Sequence, residues 1–164
     1  MTDVRWLSEE EQATWRAFLD ASQLLFEALE HELQADAGIP HGYYEILVRL
    51  SEAPDRRLRM SELAKRSMSS RSRISHAIGR LEDMGWVERH ACTTDRRGSY
   101  AVLTDTGFRA LEAAAPGHVE GVRTHLFDQL DADDLRALHR ISDHLTRHLE
   151  ELERPMDQSQ PEGP

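Results

Sequence analysis

Serine and arginine side chains are concentrated in one short stretch of the sequence, from Ser69 to Arg80. Serine hydroxyls and the N-terminus of a helix contact phosphate oxygens, and the arginine fork matches the two acceptors on the major-groove edge of guanine. A helix that begins in this stretch would present these groups together, which is the chemistry of duplex DNA recognition. The residues expected to contact DNA are Ser69, Ser70, Arg71, Ser72, Arg73, Ser75, His76 and Arg80.

A second basic group, Arg96 and Arg97 followed by Gly98, lies between two segments of alternating pattern. These segments, Trp86–Ala91 and Tyr100–Leu103, are rich in branched and aromatic residues, which predicts a β-hairpin. The loop between them has about eight residues, whereas hairpin loops usually have two to five. We expect the arginines and the glycine of this long loop to reach a narrow minor groove, where the negative potential attracts arginine.

The net charge of −10 would argue against a DNA partner if it were spread evenly along the chain. Between Arg56 and Arg97, however, eleven basic residues outnumber five acidic residues, and this segment carries a charge of +6. The rest of the chain therefore carries −16. A basic middle between acidic flanks is typical of a protein in which one lobe meets a polyanion.

Several other classes of protein are disfavoured by the sequence. No apolar run approaches the roughly 18 residues of a membrane span, and the acidic N-terminus differs from that of a signal peptide. A single cysteine, Cys92, excludes a disulfide framework and a cysteine-rich zinc site within one chain. There is no glycine-rich phosphate loop, HExxH motif or nucleophile elbow. The sequence thus predicts a soluble cytoplasmic protein that is not an enzyme, has no membrane partner and uses no cofactor or metal.

The serine- and arginine-rich stretch lies within a pattern of two helices joined by a short linker. A short helix is predicted over Ser61–Arg66, capped by its first residue, and the linker Ser67–Ser69 follows it. A second helix is predicted over Ser70–Met84, because apolar residues recur there at spacings of three and four. Ser69 or Ser70 can cap this helix, and Gly85 is expected to end it. Together with the hairpin, these helices are expected to form a winged helix-turn-helix lobe over residues 55–104.

Long helices flank this lobe. Residues 8–36 open with a serine cap followed by acids and carry a wide apolar stripe, and Gly38 and Pro40 are expected to end this helix. A shorter helix is predicted over His41–Ala53. Residues 105–154 contain one helix that Pro116–Gly117 should kink or split and another that starts at Asp131. The outer helices are too apolar on one side to cover only the small lobe, so we expect a second copy of the chain to cover them.

The segment LAKRSMSSRSRISHAIGRLEDMGWVERHACTTDRRGSYAVLTDTG resembles the winged helix-turn-helix of the MarR family of bacterial transcription regulators. The most specific part is the wing, Asp95–Gly98, followed by Val102–Thr104 and Gly107. The resemblance runs from about Leu50 to Leu111, and outside these limits the helices agree only in length and order. It implies a mainly α fold with a small β-hairpin wing, in which long N- and C-terminal dimerisation helices flank the lobe.

The resemblance also implies a mode of action. It implies a homodimer that binds an imperfect palindrome in double-stranded DNA and is modulated by a small-molecule effector, often aromatic or phenolic, usually so that repression is relieved. A ligand pocket would lie where the first two helices meet the DNA-binding lobe, and some of its candidates must be plain core. These candidates are Trp15, Phe18, His41, Tyr43 and Tyr44. We expect residues 1–154 to form a single domain and residues 155–164 to form a disordered tail.

Two alternatives keep the fold and change its use. A metal or a thiol could be the signal, because His144 and His148 have a metal-compatible spacing and Cys92 lies at the wing base, where Arg89 and Arg96 would lower its pKa. We favour solvated histidines and a structural thiol. The other alternative is a protein-interaction module whose basic face docks an acidic protein, which the combination of an arginine-rich helix and a basic wing disfavours.

Overall fold

The structure is a computed structural model that describes residues 4–92 and 98–153. It is mainly helical with a small three-stranded antiparallel sheet, in agreement with the predicted fold class. The chain divides into two compact units, the first ending at His125 and the second beginning at Leu126. The main elements are α1 (Glu9–Ala37), α2 (His41–Ser51), β1 (Arg57–Arg59), α3 (Met60–Arg66), α4 (Arg71–Asp83), β2 (Val87–Ala91), β3 (Ser99–Leu103), α5 (Asp105–His125) and α6 (Ala132–Glu153), and one-turn 3-10 helices lie at Pro54–Arg56 and Phe127–Gln129.

The first helix, α1, begins and ends as the sequence predicts. The Ser8 hydroxyl accepts a hydrogen bond from the backbone N–H of Glu11 at 3.1 Å, and the Glu11 carboxylate accepts one from the N–H of Ser8 at 2.7 Å. This reciprocal pair satisfies N–H groups that have no partner inside the helix. At the other end Gly38 adopts the left-handed conformation (φ 67°), which glycine tolerates without strain.

The helix-turn-helix consists of α3 and α4, whose first residues are fixed in different ways. Ser70 caps α4, as predicted. The predicted cap of α3, Ser61, is wrong, because α3 begins one residue earlier at Met60 and no side chain caps it. The chain enters α3 directly from β1, and pairing of Arg59 with Tyr100 in the sheet sets its path there.

The sheet contains one strand more than the predicted hairpin. β2 and β3 form the hairpin, with Val87 opposite Leu103 and Ala91 opposite Ser99. β1 pairs with the other edge of β3, so the strand order is β1–β3–β2. The two-strand prediction is therefore incomplete, since a strand of three residues is too short to show a period-two pattern.

The core lies between α2, α3, α4 and the sheet. Burying one such aliphatic side chain contributes about 1.5–3 kcal/mol relative to leaving it exposed. The largest fully buried side chains are Leu47, Leu50, Leu63, Ile78, Leu81 and Val87. Because Ile78 and Leu81 belong to α4, their burial fixes the inner face of this helix and leaves its opposite face to solvent.

The first turn of α5 is attached to the end of α4. The Thr104 hydroxyl donates to the carbonyl of Gly85 at 2.8 Å and accepts from the N–H of Gly107 at 3.0 Å. The Trp86 carbonyl approaches Gly107 so closely that a Cβ at this position would overlap it. The position therefore requires glycine for space, and further along α5 packs against α1.

Pro116 lies inside α5 without dividing it into two helices, so a split at Pro116–Gly117 is wrong. A proline removes one backbone hydrogen bond from a helix. Leu111 and Ala114 before it and Gly121 after it are buried. This packing on both sides of the proline maintains one continuous helix, since most helical stability in proteins comes from tertiary contacts.

The second unit contains α6, which is strongly amphipathic. Its start is confirmed, because the Asp131 carboxylate accepts hydrogen bonds from the N–H groups of Asp133 and Asp134, both at 2.8 Å. The apolar side chains exposed along α6 in this single chain are Leu135, Leu138, Ile141, Leu145, Leu149 and Leu152. No helix within residues 4–92 and 98–153 is long and apolar enough to cross a membrane. The predicted tail, residues 155–164, lies outside the described residues.

Candidate nucleic-acid interface

A tight turn and a serine cap form the start of α4. Met68 adopts a left-handed backbone conformation (φ 45°) between the two helices, and Ser69 is half-buried in this turn. The Ser70 hydroxyl then accepts a hydrogen bond from the N–H of Arg73 at 3.2 Å. The helix start is positive because its first N–H groups have no partner within the helix, and this polarity stabilises a nearby anion.

The outer face of α4 carries most of the residues that the sequence predicts for DNA contact. Ile74, Ile78 and Leu81 are buried beneath the helix, so the residues on the opposite side face solvent. The predicted contacts that are exposed are Ser70, Arg71, Ser72, Arg73, Ser75, His76 and Arg80. The structure therefore brings all of the predicted α4 contacts onto one accessible surface, with Ser69 at its edge.

The arginines on this surface differ from the others in the basic segment. Within residues 4–92 and 98–153, no carboxylate lies within ion-pair distance of Arg71, Arg73 or Arg80. Other arginines of the segment are paired with acids, namely Arg56 with Asp105, Arg57 with Asp55 and Arg66 with Glu62. Among the described residues, three arginines without an acidic partner therefore lie together on α4.

Only one residue of the predicted wing group, Gly98, is among the described residues. Its carbonyl accepts a hydrogen bond from the N–H of Cys92 at 2.9 Å, which closes the base of the loop. Arg96 and Arg97 lie outside the described residues. Their contact with a minor groove stays a prediction from the sequence.

Two arginines of β1 contact the hairpin near its loop end, a role that was not predicted. Arg59 Nε donates to the Tyr100 hydroxyl at 3.2 Å. The guanidinium groups of Arg57 and Arg59 each lie 5.5 Å from the centre of the Tyr100 ring, within the range of a cation–π interaction. The only sequence signal is the Arg-Leu-Arg alternation of β1, which is too short to identify a strand.

Cys92 is buried where the loop of the hairpin begins. Its Sγ atom accepts a contact from Arg59 Nη2 at 3.4 Å. Arg89, which we expected beside this thiol, is directed toward α4 instead, and Arg96 lies outside the described residues. Since oxidation requires access to the sulfur, burial favours the structural interpretation of this cysteine.

The five candidates for a ligand pocket do not form one site. Trp15 and Phe18 stack on each other on an exposed part of α1, with ring centres 6.1 Å apart. Tyr43 is half-buried against the core. His41 and Tyr44 form a separate group, because both contact a third ring on α5.

That third ring is His118, whose centre lies 5.4 Å from the ring centre of His41 and 4.5 Å from that of Tyr44. Burial lowers the pKa of His118 and the neighbouring His41 lowers it further, whereas Glu45 raises it. Burial also raises the pKa of Tyr44. His118 was not predicted as part of this group, since no local pattern in the sequence connects a residue of α5 with the start of α2.

A cavity of about 290 Å³ adjoins this cluster, and its lining comes from α2, the residue that follows α2, and α5. Two buried atoms in the lining, Nε of Arg49 and Nδ1 of His118, have no hydrogen-bond partner among the described residues. Buried polar atoms are nearly always hydrogen-bonded in proteins, so these two are groups that a polar small molecule would satisfy. The lining residues are Tyr44, Glu45, Val48, Arg49, Glu52 and His118.

Potential metal ligands do not cluster in the part of the chain that the structure describes, where no group of three or more could hold a metal ion. His144 and His148 lie one turn apart on α6 and are exposed. The metal-responsive alternative therefore gains no support from the described part of a single chain.

Known proteins resemble this chain over both the lobe and the flanking helices. The MarR family model matches residues 39–99. Sco3205 of Streptomyces coelicolor, a MarR family transcriptional regulator solved in complex with DNA, is 46% identical to this chain, and the similarity covers 96% of this chain and 97% of Sco3205 with a TM-score of 0.86. The chain belongs to the MarR family.

Two further relatives agree with this membership. AbsC of Streptomyces coelicolor, also a MarR family transcriptional regulator, is 44% identical, with 90% of this chain and 99% of AbsC covered and a TM-score of 0.84. YetL of Bacillus subtilis (strain 168), an HTH-type transcriptional repressor, is 35% identical over 102 residues, which are 62% of this chain and 60% of YetL. The chain spans 55–65% of the length of the curated relatives it matches.

Membership of the MarR family confirms the resemblance found in the sequence and the predicted winged-helix fold class. Members of the family are transcriptional regulators, which agrees with the prediction that the chain is not an enzyme. The match to residues 39–99 contains every predicted DNA contact, from Ser69 to Gly98. The individual contacts themselves stay predictions.

Proposed function

We propose that this MarR family chain regulates transcription by binding double-stranded DNA in the cytoplasm. The observation that carries the proposal is the outer face of α4, where Arg71, Arg73 and Arg80 are exposed and have no acidic partner among the described residues. Hydroxyls at the capped start of the helix complete a surface suited to phosphates and guanine edges. Sco3205, solved in complex with DNA, supports the proposal as a relative of nearly the same length.

The two basic groups divide the work of recognition. α4 enters the major groove, and the serines and arginines of its first turns contact base edges and phosphates. Arg96 and Arg97, which the sequence assigns to the loop between β2 and β3, contact the neighbouring minor groove. The acidic remainder of the chain repels the duplex, so the winged lobe is the face that approaches DNA.

The chain acts as a homodimer. This is supported by apolar side chains that the single chain leaves exposed, both along α6 and on α1, where Trp15, Phe18 and Leu19 lie in solvent. Exposed apolar surface of this extent marks an interface. A two-fold dimer presents two copies of α4 to one palindrome, with half-site centres about 10–10.5 bp apart.

The chain acts as a repressor, the role given in the name of its relative YetL. A small molecule relieves repression by releasing the dimer from DNA. Support comes from the cavity beside Tyr44 and His118 and from its two polar atoms without partners. Of the sequence-predicted ligand residues, His41 and Tyr44 are the ones beside this cavity, while Trp15, Phe18 and Tyr43 lie elsewhere. Benzoate and phenol are suitable first probes, and each should displace bound duplex if the cavity accepts a small aromatic molecule.

Selection of duplexes from a random pool by the purified chain tests the proposed function. We expect an enriched pseudo-palindrome, bound by one dimer and weakened steeply by salt because arginines displace counterions from phosphates. Equal retention of single strands and duplex, or stronger binding of an acidic protein, would overturn the proposal in favour of a protein-interaction module.

A further inference from the structure

Arg89 on β2 connects the hairpin to α4 through its side chain and its backbone. Its Nη2 donates to the carbonyl oxygen of Ser75 at 2.6 Å and lies 3.5 Å from the Ser75 hydroxyl. Its Nε lies 3.2 Å from one carboxylate oxygen of Glu82. The other carboxylate oxygen accepts the backbone N–H of Arg89 at 3.1 Å. One residue of the hairpin is thus joined to two positions of α4 that lie about two helical turns apart.

The positions of these partners on α4 matter for recognition. Ser75 and Glu82 are seven residues apart, so they lie on the same side of the helix. Arg73 and Arg80 are also seven residues apart and lie on another side, with the exposed Ser72 and His76 between the two sides. Arg89 therefore holds one flank of the helix and leaves its outermost residues free.

The positive charge of Arg89 also differs from that of the α4 arginines, because it has an acidic partner. The Arg89 and Glu82 side chains are 35% and 32% exposed and face each other, so the positive charge of Arg89 is compensated within the lobe. The Glu82 carboxylate and the Ser75 carbonyl engage Nε and Nη2 of Arg89, and these two contacts fix the orientation of its guanidinium. Arg89 belongs to the basic segment of the sequence, yet its contacts fit a structural link better than a DNA contact.

We propose that the Glu82–Arg89 pair positions the wing relative to α4 and thereby determines the specificity of DNA binding, an inference that rests on the proposed function. Specific binding requires α4 and the wing to enter neighbouring grooves together. Non-specific binding requires only contacts to phosphates. If the hairpin is free to change its orientation relative to α4, specific binding becomes weaker, whereas non-specific binding stays nearly unchanged.

Two conservative variants test this role. Glu82→Gln removes an acid near DNA, which on charge alone would strengthen binding, and Arg89→Lys keeps the positive charge but cannot bridge Ser75 and Glu82 in the same way. Asp83→Asn is the matched control, because Asp83 is an exposed acid next to Glu82 with no contact to Arg89. The probes are the duplex that the unmodified chain selects from a random pool and a scrambled duplex of the same composition.

We expect Glu82→Gln and Arg89→Lys each to lower the ratio of selected to scrambled affinity by about tenfold, and Asp83→Asn to leave it unchanged. The double variant should be no weaker than either single variant, since both break one link. The slope of affinity against salt concentration should stay the same, because no phosphate contact is lost.

Other results would overturn the inference. If Arg89→Lys bound the selected duplex with unchanged affinity and Arg89→Gln bound it weakly, Arg89 would be a phosphate contact. Tighter binding by Glu82→Gln, as simple charge removal predicts, would show that the pair positions nothing. Equal loss on both duplexes would indicate general unfolding, which thermal unfolding of each variant measures independently. If the unmodified chain selected no duplex, the proposed function would fail first and this inference with it.

Discussion

The hydroxyl oxygen of Ser70 lies 3.2 Å from the backbone nitrogen of Arg73 and accepts its hydrogen bond. This contact fixes the first turn of α4 and orients the arginines that follow. Ser70 is therefore both a cap of the helix and part of the surface proposed to meet DNA. Unfolding measurements without DNA isolate the capping role, because capping contributes to stability in the absence of DNA.

Ser70→Ala should lower the free energy of unfolding by about 1 kcal/mol, because alanine leaves an N–H group at the helix start without its partner. Urea unfolding measures this value. Ser72→Ala is the control, since Ser72 is exposed on the same helix and its hydroxyl caps nothing. Equal effects of the two substitutions would contradict the capping role.

Gly107→Ala should destabilise the chain by about 1–3 kcal/mol, because the added Cβ would overlap the carbonyl of Trp86. Gly79→Ala is the opposite case, since nothing lies within 4 Å of a Cβ there. In the middle of a helix alanine should stabilise by about 0.5–1 kcal/mol. Thermal unfolding of both variants measures these changes in stability. Unchanged stability of Gly107→Ala would show that α5 shifts freely against the lobe.

Stability should decrease as the pH falls below about 6.5, in part because of His118. Burial and the neighbouring His41 lower the pKa of His118 in the folded chain from its usual value of 6.5, so the unfolded chain binds the proton more readily. The contribution is present above pH 6.5 and is lost as the pH falls toward the lowered pKa. In unfolding measurements over a series of pH values, His118→Gln should abolish this contribution. His76→Gln, at an exposed position, should retain it. An identical pH dependence in His118→Gln and the unmodified chain would refute it.

The sequence was sufficient where structure depends on neighbouring residues. Ser8 and Ser70 cap their helices, Gly38 and Gly85 close them, and the spacing of apolar residues in α4 identifies its buried face. In each case the interacting groups are at most a few residues apart. The outer surface of α4 was predictable for the same reason, since its exposure follows from the buried face of the same helix.

Contacts between distant residues were not predictable. β1 is a strand only because it pairs with β3, and Arg59 reaches Tyr100 across that pairing. His118 meets Tyr44 because α5 packs beside α2. The same limit applies to Pro116, whose local tendency to break a helix is overcome by packing on both sides of it.

Dimerisation should depend on the apolar stripe of α6. Leu145→Asp places a charge within the stripe, and a buried charge without a partner is strongly unfavourable, so the dimer should dissociate. His144→Asp adds an acid one residue away, outside the stripe, and should leave the dimer intact. Light scattering after size exclusion distinguishes twice the 18.8 kDa of one chain from a single chain. A dimeric Leu145→Asp would place the interface elsewhere.

The affinity of α4 variants for the selected duplex measures whether this helix contacts DNA. Arg71→Ala and Arg73→Ala should each weaken binding by about tenfold, because a good contact between arginine and guanine is worth about 1–3 kcal/mol. Arg140→Ala removes the same charge from α6 and should leave the affinity unchanged. If all three variants bind the duplex as tightly as the unmodified chain, α4 does not contact DNA and the proposed function is wrong.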